Sequence, residues 1–96
     1  MNTEQKIQVM RDHIGQLCTV TGRGSHAALA DASGISDQSL RNFIKYGKAI
    51  MLATAMDIAE ALGTSLDVLT DPKAFAKKRQ ACVNRLNAIT DRCITT

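Results

Sequence analysis

Residues 30–47 read ADASGISDQSLRNFIKYG. A glycine, Gly34, separates two short helix-like segments, and glycine is the residue that ends a helix in the left-handed conformation. Ser36 then stands where a helix wants an N-cap, because its hydroxyl oxygen can accept from a free backbone N–H of the first turn. Ile35 before the cap and Leu40 four positions after it form a hydrophobic staple, which fixes the angle at which the chain enters the helix. Leu40, Phe43 and Ile44 supply the buried stripe of this helix, and Gly47 ends it. At about 100° per residue, the direction opposite the stripe belongs to Gln38, Asn42 and Lys45, with Arg41 and Tyr46 on its flanks. Upstream, Ser25 is expected to cap a short helix running HAALADAS, with Leu29 and Ala32 turned inward. Two short helices joined across a glycine, the second with a polar outer face, describe a helix-turn-helix.

Working outward, Ile7, Met10, Ile14 and Leu17 fall at helical spacing over residues 3–21, with Cys18 beside them. Gly15 weakens that helix by about 1 kcal/mol relative to alanine, and TGRGS (21–25) breaks it. A fourth helix over about 51–62 is expected to bury Leu52, Ala55, Ala59 and Leu62, and Gly63 stops it. TSLDVLTD (64–71) reads as a one- to two-turn helix with Leu66 and Leu69 inward. Asp71-Pro72 is both a stop and a start, since proline is tolerated at the first helical position and an aspartate can cap it. The last helix, about 72–93, carries Phe75, Cys82, Leu86, Ile89 and Cys93 on one stripe. The result is six helices and no strand. His13 and His26 read as surface groups rather than metal ligands, and Met51 and Met56 as packing.

The chain has 96 residues, enough for one domain. No apolar run approaches the roughly 20 residues that cross a bilayer, and MNTEQKIQVMRDH lacks the apolar centre of a signal peptide. A soluble cytoplasmic protein is the expectation. Three widely spaced cysteines without a C-x-x-C pair give no disulfide framework and no metal site. Charge is unevenly distributed. Residues 72–96 carry six bases against Asp91 alone, whereas residues 25–71 hold six acids against Arg41, Lys45 and Lys48. A basic patch suits a polyanionic partner and is equally ordinary as a solvated surface.

SHAALADASGIS (25–36) resembles the second helix and turn of the lambda-repressor-like (Cro/CI or XRE) DNA-binding family, in the order Leu29-Ala30, Gly34, Ile35, Ser36. AMDIAEALGTSLDVLTDP (55–72) is similar to the family's fourth and fifth helices. The resemblance covers about residues 3–71. The interval from Ser36 to Gly47 is one residue longer than is usual in the family. The fold implied is all-α: a five-helix helix-turn-helix domain over 1–71, with a C-terminal amphipathic helix over 72–96 as the expected dimerisation element. The implied mechanism is direct readout of double-stranded DNA by the third helix in the major groove, where each base pair shows a distinct donor and acceptor pattern. Gln38 suits adenine N6 and N7, Arg41 suits guanine O6 and N7, and Asn42 suits a second base or a phosphate. Asp37 repels phosphate but accepts from cytosine N4. Ser25 and His26 begin the second helix, where family members touch phosphate, and Lys45, Tyr46 and Lys48 are candidates for clamping the backbone. Ser36 and Ser39, in the helix's first turn, complete the candidate set.

The apolar stripe of the last helix, Phe75, Cys82, Leu86 and Ile89, can cover the domain's own core or pair with a second subunit. The need for two half-sites favours pairing. The expectation is a homodimeric repressor of a phage or mobile element, without cofactor or metal. The alternative is an antitoxin that autoregulates through this domain and binds a toxin protein through the last helix. Enzyme chemistry is disfavoured, because no nucleophile–base constellation gathers on one surface and GRGS (22–25) is too short for a phosphate loop.

Overall fold

The computed structural model describes residues 2–22 and 24–95, with side chains through Arg92. Its elements are α1 (Thr3–Thr21), α2 (Ser25–Ser33), α3 (Asp37–Tyr46), α4 (Leu52–Ala61), α5 (Leu66–Leu69) and α6 (Pro72–Thr95), and the described residues contain no strand. Local chemistry sets the boundaries. Asn2 and Gln5 close a reciprocal capping box at the start of α1. Asp71 accepts from the Lys73 N–H at 2.9 Å and so opens α6 behind Pro72. Helix α1 runs unbroken through Gly15.

One core joins the six helices. Ile14 and Leu17 of α1, Leu29 of α2, Leu40 of α3, Ile58 and Leu62 near α4, Leu69 of α5 and Leu86 of α6 are all fully buried in it. Helix α6 packs against α1, α2 and α5. At 1.5 Å per residue its 24 residues span about 36 Å, close to the 40 Å long axis of the molecule. It therefore lies along the body instead of projecting from it. Phe75, Cys82 and Leu86 are buried in this chain's own core, and Ile89 is half-buried against it. This corrects the pairing expectation for the stripe: a second subunit cannot reach those three side chains while the core is closed. The Cys93 side chain lies outside the described residues.

Four further expectations change. His13 is 7% exposed. Its Nδ1 lies 2.8 Å from the Leu69 carbonyl, and its ring stacks on Phe75 with centroids 3.8 Å apart. A carbonyl only accepts, so Nδ1 carries the hydrogen. A polar ring is thereby satisfied where α1, α5 and α6 meet. Ile7 and Leu52 are 43% and 71% exposed, because α1 and α4 both run past the edge of the core at these ends. Met51 and Met56 are exposed as well, and so is Ala32. Cys18 and Cys82 are buried free thiols, and burial pushes the Cys18 thiol up to about 11.

Candidate nucleic-acid interface

The turn between α2 and α3 is held by its backbone. Gly34 has φ +74°, a left-handed conformation that side chains with a Cβ resist. The Ile35 N–H then reaches back to the Ala30 carbonyl at 3.0 Å, and the Gly34 N–H donates to Asp31 at 3.2 Å. Ser36 caps α3 by accepting from the Ser39 N–H at 3.1 Å, and its own hydroxyl donates to the Ser39 Oγ at 2.9 Å. Both serines therefore hold the start of the helix. Ile35 and Leu40 pack against the core, as a staple requires.

The far end of α3 is anchored by a residue that no local pattern reveals. Arg11 of α1 donates through Nε to the Phe43 carbonyl at 2.8 Å and through Nη2 to the Ile44 carbonyl at 3.1 Å. A fixed positive charge at a helix C-terminus also complements the macrodipole. Gly47, with φ +69°, completes this end. A Cβ built there would stand 3.1 Å from Arg11 Nη1, so the guanidinium fills the space a side chain would need. The partners of Arg11 are 32 and 33 residues away, which is why spacing along the chain gives no sign of it.

Between these anchors α3 presents its outer face. Gln38, Arg41, Lys45 and Tyr46 are exposed, Tyr46 to 69%, and Asn42 is half-exposed. These five side chains and His26 of α2 line one open hollow of about 360 Å³, together with Gly15, Thr19 and Ile44. The side chains hold one another. Gln38 Nε2 donates to Asn42 Oδ1 at 2.9 Å, and Arg41 Nε meets Asp37 Oδ1 at 2.9 Å. Desolvation, reinforced by the Arg41 charge and opposed by Asp37, moves the His26 pKa below its ordinary value.

Of the positions expected to touch DNA, six gather on this hollow, and Asp37 joins them through Arg41. Lys48 is exposed in the loop after α3. Ser25 departs from its expected place. Gly24 takes the N-cap position, and Ser25 becomes the first, fully buried residue of α2. Its hydroxyl donates to the carbonyls of Cys18 at 3.0 Å and Gly22 at 2.7 Å, so it joins α2 to the end of α1 and faces away from solvent.

Residues 24–69 match a family model described as Helix-turn-helix. The match supports a lambda-repressor-like (Cro/CI/XRE-type) helix-turn-helix over this segment and, with it, a sequence-specific DNA-binding regulator. Searches of curated proteins and of solved structures return no match. No helix among the described residues is long and apolar enough to cross a membrane.

Proposed function

We propose that the chain is a repressor of a phage or mobile element that occupies a palindromic operator as a homodimer, with α3 in the major groove. The observation that carries this reading is the convergence of His26 at the start of α2 with Gln38, Arg41, Asn42, Lys45 and Tyr46 along α3. One surface then holds base-reading amides and a guanidinium beside backbone-clamping groups, the division of labour that DNA recognition needs. Arg41 takes guanine, Gln38 takes adenine, and Lys45, Tyr46 and Lys48 position the duplex.

The magnitudes favour exchange of the resting contacts for base contacts. Exposed pairs four residues apart on a helix are worth about 0.3–0.5 kcal/mol each, whereas a bidentate base contact discriminates by about 1–3 kcal/mol. Leaving Asp37 therefore costs Arg41 little compared with what a guanine returns. The antitoxin alternative would have to use a surface other than Phe75, Cys82 and Leu86 of α6, since those side chains are enclosed in the core.

Selection from random duplex DNA at near-physiological salt tests the reading. An inverted repeat should be enriched, and on it Gln38→Ala and Arg41→Ala should each lose about 1–3 kcal/mol while non-specific binding is kept. Equal losses on all sequences would demote the residue to a backbone clamp. No enrichment at all would refute the proposal.

A further inference from the structure

We infer that a second copy of this chain docks on the apolar hollow between α1, α5 and the segment joining α3 to α4. The inference rests on the two-half-site reading above. With Phe75, Cys82 and Leu86 enclosed in the core, those three side chains of α6 offer no dimer surface. A different apolar surface stands open.

The hollow measures about 530 Å³. Ile50 and Leu66, both packed on the core, lie within it, and Ile7 and Leu52 stand at its margins. Met51, next to Leu52, is 74% exposed. Single exposed apolar side chains are normal on a protein surface, but a contiguous group around a concavity marks a contact site. Val20, at the other end of α1, is such an isolated case.

Two features favour a second copy as the occupant. First, the surface is complementary to itself. It has an exposed apolar side chain, Leu52, with exposed Met51 next to it in the chain, beside a recess, and an isologous two-fold contact places Leu52 of each copy in the recess of the other. Lys6 of α1 and Asp67 of α5, both exposed, bring opposite charges to this one recess. A two-fold contact can then set each copy's Lys6 against the other's Asp67. Second, the recess is continuous with the reading helix. Phe43 of α3 and Gly47 at its end belong to the same wall, so a copy seated here fixes the spacing between the two α3 helices. The recess alone is much smaller than the ~800 Å² per partner of a standard interface. The free protein therefore associates weakly, and a duplex with two half-sites completes the pair by raising the effective concentration.

Met51→Glu and Leu52→Asp test this. Both positions are exposed, and an acid at the start of α4 is favourable for the helix, so the variants keep the fold; thermal melting checks that. Without DNA, wild-type protein should show concentration-dependent association by sedimentation, and the variants should remain monomers. On a duplex with two selected half-sites, wild type should bind about tenfold or more tighter than on one. The variants should lose that gain and keep single-site affinity. Lys6→Glu should weaken association, and adding Asp67→Lys should restore it. Association unchanged in the Met51 and Leu52 variants would overturn the inference. So would a wild type that is monomeric and non-cooperative, which would leave the hollow to a different protein partner. A wild type that binds no duplex, but whose association the variants abolish, would sink the operator reading and leave this interface standing.

Discussion

Replacing Arg11 by alanine removes the anchor at the C-terminal end of α3. Arg11 makes two part-buried hydrogen bonds to the Phe43 and Ile44 carbonyls, and bonds from a charged donor are worth about 1.5–3 kcal/mol each. The full sum does not apply. The Phe43 carbonyl still accepts from the Gly47 N–H at 3.1 Å. The Lys48 N–H turns back to Asn42 instead of continuing the ladder to Ile44, so Ile44 is the carbonyl left to water once the side chain is gone. The site is near the surface and water can enter, which brings the expected loss to about 2 kcal/mol. In urea titration with a slope of roughly 1–2 kcal/mol/M, the midpoint should fall by about 1–2 M with the slope unchanged. The melting temperature should fall by about 8–16 °C. Arg11→Lys should recover no more than about half, because a point charge cannot span two carbonyls as the planar fork does. A loss below about 0.5 kcal/mol, or a lysine as good as arginine, would refute the reasoning.

Two other outcomes follow from the packing. Leu86→Ala should cost about 2–5 kcal/mol, since Leu86 is fully buried in the common core; a loss under about 1 kcal/mol in the same titration would make α6 an appendage. His26 has a folded-state pKa below its ordinary 6.5, so the unfolded chain binds more protons as the pH drops. Stability from this group is intact above about pH 6.5 and declines below it. Unfolding measured between pH 5 and pH 7.5 should show that acid-side slope, and His26→Gln should reduce it.

The helix pattern was legible because its signals are local. The Gly34 turn, the Ser36 cap and the Asp71-Pro72 start each act within a few residues, and all three operate as the sequence implies. The outer face of α3 was legible for the same reason, since periodicity separates Gln38, Arg41 and Lys45 from Leu40 and Phe43. What escaped depends on neighbours remote in sequence. His13 looks like a surface residue until Leu69 and Phe75 are placed against it. Arg11 looks like any helix-surface base until α3 arrives. Ser25 has the right identity for a cap, yet the carbonyls at the end of α1 claim its hydroxyl. An apolar stripe states that something must cover it but not what, and so Phe75, Cys82 and Leu86 suited a partner subunit as well as this chain's own core.

The meeting of α1 with α6 also has a consequence for synthesis. His13 leaves the ribosome long before Phe75, with about fifty residues between the end of α1 and the start of α6. At about 5–20 residues per second, that is a wait on the order of 3–10 s during which the inward side of α1 is uncovered. The nascent helix-turn-helix is therefore emerging before the helix that closes its core, and a translational pause within residues 72–86 would prolong its exposure to chaperones and proteases.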